Sequence, residues 1–199
     1  MPDYLRKIPF TEELLPVVQD FECGGDDWER PLAAWIKAGP QVANGALYEM
    51  RKRKGKLQVW LHGNQGDDLV GYSSLGESNW RWPLSKDPRV PIMIIPNVAI
   101  QTRYQGKPED GPRYSTQIFD HLVFEARKYI AEKKDKKNIH PLLGLYVDPR
   151  NARAKKAYEK AHFRPYFQES EEDGVKYVSY LLKLSDYPEP ARPPAGGQV

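Results

Sequence analysis

The chain has 199 residues, enough for one substantial hydrophobic core, and its 40% hydrophobic and 12% aromatic content is that of a folded globular protein. A formal net charge of +3 is too small to argue for or against a nucleic-acid partner, and a single cysteine, Cys23, excludes an internal disulfide framework and fits a reducing compartment. No apolar run approaches the roughly 20 residues that span a bilayer, and Met1 to Phe10 lack the apolar core of a secretory leader. The expectation is a cytoplasmic protein with no membrane contact and, given the missing His/Cys spacing, no metal site.

In chain order, Leu5 to Phe10 predict a first strand, with Thr11 as N-cap of a short helix carrying Glu12 and Glu13 in its first turn. Trp28, Leu32, Trp35 and Ile36 recur at helical spacing, and Gly39-Pro40 ends that second helix. Leu47–Arg53, Lys56–His62 and Leu69–Leu75 predict an antiparallel meander. Between Gly76 and Arg89, Trp80, Trp82, Pro83 and Pro88 predict an irregular loop whose tryptophans cap the core edge or wall a groove. Val90–Ile100 predicts a central strand, bulged near Pro96 and Asn97 because proline has no N–H for a ladder.

Beyond Pro112, the residues Tyr114, Ile118, Leu122, Ala126, Tyr129 and Ile130 form one face of a long helix, closed by Lys133, Lys134, Lys136 and Lys137. A buried strand, Leu142–Val147, then leads through Asp148-Pro149, read as N-cap and first helical residue, into a helix ending near Ala161. Phe163–Phe167 and Val175–Leu184 predict a last hairpin. The proline- and glycine-rich stretch from Tyr187 to Val199 predicts a disordered tail after a single domain spanning residues 1–186. Strand, long helix and strand in the middle make a βαβ unit, and the flanking hairpins make the sheet mixed. The basic runs at Arg51–Lys56 and Lys133–Lys137 read as solvated surface or, if the partner is tRNA, as the patches that bind it.

Two stretches carry chemistry. The loop from Gln101 to Arg113 holds Gly106 and Gly111 before a helix N-terminus, with Arg103, Lys107 and Arg113 adding charge, a pattern that suits a phosphate or pyrophosphate. After the second strand of the βαβ unit, Asn151 and Tyr158 stand seven residues apart, two helical turns, on one face.

The run Tyr158-Glu159-Lys160-Ala161-His162-Phe163, with Asn151 ahead of it, resembles the closing motif of the GNAT (GCN5-related N-acetyltransferase) superfamily, with His162 where that family usually has glycine. Arg103-Tyr104-Gln105-Gly106-Lys107-Pro108 resembles the start of the family's phosphate loop but ends in Pro108, and Glu109 to Arg113 look inserted. The likeness covers about Leu69 to Phe167. Phe21-Glu22-Cys23-Gly24 with Leu32, Trp35 and Ile36 further resembles the opening of GNAT-type toxins of toxin–antitoxin pairs, which acetylate aminoacyl-tRNA.

What the resemblance implies is a mixed α/β (α+β) fold, with a mostly antiparallel twisted sheet, a central βαβ unit and helices on both faces. It implies acetyl transfer from acetyl-CoA to an amine within a ternary complex. Backbone amides of Val98, Ala99 and Ile100 would meet the pantetheine arm and polarise the thioester. Arg103, Tyr104, Gln105, Gly106, Lys107, Gly111 and Arg113 would hold pyrophosphate, Asn151 the cofactor arm or a water, and Tyr158 would protonate the departing thiolate. No base stands on the central strand: Glu77 and Asp148 are distant, and His62, His121 and His140 lack matching partners. The acceptor stays open between a small amine, a peptide and charged tRNA, as does a homodimer. A third reading is an inactive acyl-CoA-binding sensor or scaffold, motivated by Pro108.

Overall fold

A computed structural model describes residues 5–24, 26, 29–53, 56–62, 68–81, 89–106, 111–133, 138–172 and 175–189. Its strands are β1 (Leu5–Pro9), β2 (Lys56–His62), β3 (Leu69–Arg81), β4 (Arg89–Ile94), β5 (Val98–Ile100), β6 (Leu142–Val147), β7 (Arg164–Glu172) and β8 (Val175–Lys183). Its helices are α1 (Leu15–Val18), α2 (Arg30–Lys37), α3 (Ala46–Arg53), α4 (Tyr114–Lys133) and α5 (Ala152–Lys160). The strands form one sheet in the order β1-β2-β3-β4-β6-β8-β7, with β5 paired to β3 off that path. Every pairing is antiparallel except β4 with β6. This is the mixed sheet with a central βαβ unit, the unit being β4 and β5, α4, and β6.

The sheet separates two cores. On one face α4 and α5 bury Ile118, Leu122, Val123 and Tyr158 against Met93, Leu143, Leu145 and Phe163. On the other, Val18, Phe21, Ile36 and Leu47 from the first third of the chain cover Val59, Leu61 and Tyr72. Tyr72 is held there by its hydroxyl, which donates to the Leu32 carbonyl at 2.8 Å.

Three elements differ from the sequence expectation. Residues 46–53 form helix α3 rather than a strand. The segment has no β-branched residue, is made of good helix formers, and places Leu47 in the core with Met50 packed beside it, so helix propensity and packing agree. The expected loop after Gly76 is strand: β3 runs thirteen residues, to Arg81, and pairs Trp80 with Val90. Trp80 is buried with Ile92 and Leu181 and stacks on Tyr146 at 4.8 Å, so it caps the core rather than walling the cavity described below. Trp82 lies outside the described residues. Finally, α5 is capped by Asn151, not Asp148: the Asn151 side chain accepts the Ala154 N–H at 3.0 Å. The Asp148 carboxylate turns instead to Arg150, taking its N–H at 2.9 Å and its guanidinium at 2.7 and 2.9 Å. Those hydrogen bonds hold Asp148 below the usual carboxylate range.

The break expected at Pro96 and Asn97 positions the site. Parallel pairing joins Met93 to Leu143 and Ile94 to Gly144, and continues only as far as the Ile95 N–H on the Gly144 carbonyl at 2.8 Å. Beyond Pro96 the chain crosses to β3, where Ser74 and Asn97 exchange contacts and β5 pairs with Gly71 to Ser73. Gly71 permits that approach, since a Cβ there would stand 2.4 Å from the Ala99 carbonyl oxygen. β5 and the end of β6 are therefore splayed apart.

Candidate active site

The splay opens on a cavity of about 820 Å³ lined by β5, the start of α4, the length of α5, and the segment around Cys23 and Glu29. Hydrogen bonds from the Gln101 N–H to the Val70 carbonyl and from the Ser74 N–H to the Asn97 carbonyl fix the alternation of the β3–β5 ladder. Ala99 accordingly faces β3 through its backbone, while the amides of Val98 and Ile100 point the other way, into the gap.

Ser115 and Thr116 bring the first turn of α4 to the cavity, ahead of the first intrahelical bond, from the Gln117 N–H to the Arg113 carbonyl at 3.1 Å. Amides at this position have no partner within the helix and stand at the positive end of its dipole. Arg113, Lys156 and Lys160 line the same space. Gly106 has φ +125° and Gly111 φ +102°, conformations that favour glycine on backbone grounds. An added Cβ at Gly106 would meet nothing within 4 Å, so its φ rather than close contact explains the residue there.

Tyr158 is 8% exposed on the cavity-facing side of α5, packed edge-on to Phe119 and Tyr180 at 5.8 and 5.9 Å. Burial, with the neighbouring Tyr180 as a lesser cause, pushes its phenol well above the ordinary tyrosine value, so it carries its proton at any physiological pH. The helix then ends at His162, whose φ of +65° is left-handed; the Phe163 N–H returns to the Tyr158 carbonyl at 3.0 Å. That geometry is the physical reason glycine suits this corner.

Of the residues singled out in the sequence, Val98, Ala99, Ile100, Tyr104, Gln105, Gly106, Arg113, Asn151 and Tyr158 all line the cavity. Arg103 and Gly111 are not among the lining residues, and Lys107 lies outside the described residues. Arg103 pairs with Asp68 at 2.6 Å, and Tyr104 donates its hydroxyl to the same carboxylate. Burial first, then that hydrogen bond, pushes the Tyr104 phenol up to about 12. Glu77 accepts from the Tyr129 hydroxyl, and neither it nor Asp148 lines the cavity. His121 has neighbours after all: Lys7 Nζ lies 3.0 Å from its Nε2 and 3.3 Å from Glu125. Burial and then Lys7 lower its pKa to about 4. It too is absent from the cavity lining.

Sequence reading missed two contributions. Glu29, just ahead of α2, is 6% exposed and receives Arg153 Nη2 at 2.7 Å on its Oε1. Tyr187, the first residue of the expected tail, is 5% exposed and lines the cavity with Pro188. Its hydroxyl donates to Asp120 at 2.6 Å, and its carbonyl accepts from Arg127 at 2.8 Å. Residues 190–199 lie outside the described residues. Among those described, no three His, Cys, Asp or Glu side chains could hold a metal, and no helix is long and apolar enough to cross a membrane.

Sheet, splay and helices together make the fold of the GNAT acetyltransferases, as comparison with solved structures shows. The toxin AtaT complexed with acetyl-methionyl-tRNAfMet superposes with a TM-score of 0.57 at 18% identity, covering 92% of this chain and 96% of that one. AtaTR bound with acetyl-CoA gives 0.59 at 16%, over 91% and 94%. YncA, a putative acetyltransferase from Salmonella typhimurium with acetyl-CoA, gives 0.54 at 15%, over 94% and 98%. No family model and no curated protein matches by sequence.

Proposed function

We propose that this chain moves an acetyl group from acetyl-CoA to an amine by direct attack in a ternary complex. The observation that carries the reading is the placement of a buried, protonated Tyr158 on the same cavity as the splay between β5 and β6. The residues fit the co-substrate. Apolar Ala154 and Ala157 give an extended arm room beside α5, the gap-facing amides of Val98 and Ile100 offer donors to an arm or a carbonyl, and the α4 N-terminus with Arg113 offers a site for phosphates. Bound there, acetyl-CoA supplies an activated acyl thioester.

Val98 and Ile100 would then polarise the thioester carbonyl, and Tyr158 would protonate the leaving sulfur. Asn151 spends its side-chain oxygen on capping α5, so its part is to hold that helix in place. Tyr104 and Arg103, joined through Asp68, brace the loop after β5.

Titration with acetyl-CoA should raise the melting temperature, because a ligand bound only to the folded state stabilises it by mass action. No shift at saturating acetyl-CoA would sink the enzymatic reading. Likeness to AtaT over 92% of the chain favours aminoacyl-tRNA as a particular acceptor, and exposed Lys156 and Lys160 beside the cavity suit a polyanion. That acceptor predicts acetylation that weakens steeply between 50 and about 200 mM salt. A salt-indifferent rate would exclude it.

A further inference from the structure

A second cavity, of about 310 Å³, is lined by Leu142, His162, Arg164, Leu181, Lys183 and Asp186. Its floor belongs to the sheet face away from α4 and α5. Leu142 and Leu181 pack there with Trp80 and Ile92, while their chain neighbours Leu143, Tyr180 and Leu182 point into the core under the two helices. Strand register builds the rest. Leu142 pairs with Lys183 and Arg164 with Leu181, so these four side chains form a checker of apolar and basic groups across β6, β8 and β7. Arg164 and Lys183 take the diagonal positions, about 7–8 Å apart, a span over which two long side chains can reach one common group.

Nothing on the protein answers these two charges. Among the described residues neither Arg164 nor Lys183 has an ion pair or a side-chain hydrogen bond. Asp186, the carboxylate in the lining, accepts the Ser185 hydroxyl at 3.0 Å and pairs with neither cation. Like charges at neighbouring sheet positions repel, and an anion held between them turns that repulsion into attraction. The wall carries an independent signal. His162 has φ +65°, backbone that a glycine would adopt without strain. Its side chain lines both this cavity and the one that holds Tyr158, with its ring edge-on to Tyr187 at 5.8 Å. A side chain kept at a cost to the backbone points to use of the side chain itself.

The lining selects among anions. A bare inorganic ion would leave the apolar floor uncovered, whereas a cavity of this size stands at the lower end of the about 300–1,000 Å³ that small organic ligands occupy. A phosphate monoester carries close to two charges at neutral pH, against one for a carboxylate, and its oxygens suit the guanidinium fork with a lysine beside it. We propose that this cavity is a second binding site, for a small phosphate monoester with an apolar body. The phosphate sits between Arg164 and Lys183, and the body lies on Leu142 and Leu181 against His162. The proposal stands apart from the acetyl-transfer reading, since the two cavities share His162 alone among their lining residues.

An amide-resolved NMR titration tests it, with isotherms read at Arg164, Leu181 and Lys183. The probes are phenyl phosphate, benzoate, inorganic phosphate and benzyl alcohol. Phenyl phosphate should give saturable shifts and bind at least about 5-fold tighter than benzoate or inorganic phosphate, with no response to benzyl alcohol. Arg164→Gln and Lys183→Gln should each weaken phenyl phosphate by about 10-fold. Both side chains are exposed, so their exchange leaves the fold intact, which the dispersion of the same spectra verifies. His162→Gly should weaken it several-fold without lowering the melting temperature. Arg113→Ala should leave these isotherms unchanged, which separates this site from a phosphate bound at the start of α4. Equal affinity for phenyl phosphate and inorganic phosphate would reduce the site to unspecific surface charge. Binding retained in the double variant, or lost in Arg113→Ala, would place the ligand elsewhere. Shifts caused by a short 5′-phosphorylated RNA but not by phenyl phosphate would make the patch an RNA contact. Each of these three outcomes overturns the proposal.

Discussion

Helices α4 and α5 border the same cavity but meet it in different ways. α4 points its first turn at the space, so what it offers is backbone: amides before the first intrahelical bond, at the positive dipole end, with Ser115 and Thr116 around them. α5 uses Asn151 to occupy the Ala154 N–H and then runs alongside the cavity, offering side chains from Ala154 to Tyr158. The contrast divides the work: one helix end is suited to binding charge, whereas one helix flank shapes a channel and carries a proton. A residue's place along its helix thus sets whether its loss should change binding, turnover or stability.

Tyr158→Phe gives the largest expected effect: turnover about 10²- to 10⁴-fold lower, with acetyl-CoA affinity little changed, read by steady-state kinetics and calorimetric titration. Because burial raises the Tyr158 pKa, the acid stays protonated as pH rises past the ordinary phenol value near 10, so the wild-type rate should show no falling limb below about pH 10. A falling limb near neutrality would assign the acid to another group.

Arg113→Ala tests the other helix. Its loss should weaken acetyl-CoA binding by about 10-fold with kcat nearly intact, and Arg103→Ala, whose guanidinium is tied to Asp68, by less than about 2-fold. Equal losses at the two arginines would erase the distinction drawn between them. Asn151→Ala should cost about 1 kcal/mol of stability in urea unfolding by removing the α5 cap. A selective loss of cofactor affinity, with stability unchanged, would instead give Asn151 a direct binding role. Smallest is His162→Gly: relief of the left-handed backbone should stabilise by about 0.5–1 kcal/mol, offset in part by loss of the His162–Tyr187 ring contact at 5.8 Å.

Much of this division was legible in the chain. The apolar face from Tyr114 to Ile130 specified α4, and the Asn151–Tyr158 spacing specified the flank of α5, because both are periodic and local. Pro96 announced the splay, since a missing N–H interrupts a ladder wherever it falls. What stayed hidden depends on distant partners. Residues 46–53 gave no warning that Leu47 would be claimed by the core around Phe21 and Val59. Glu29 acquires its place from Arg153, 124 residues away, and Tyr187 from Asp120 and Arg127 of α4. No short-range pattern encodes such contacts.

The Tyr187 clasp has a practical meaning for anyone altering this protein. Leu184, Tyr187 and Pro188 follow the last strand, yet Arg127 grips the carbonyls of Leu184 and Tyr187 at 2.5 and 2.8 Å, and Tyr187 and Pro188 line the cavity. Cutting the chain after Lys183 would leave every strand in place and remove a wall of the site. A truncation meant to keep the site whole therefore has to retain Tyr187 and Pro188, which border the same space as α5.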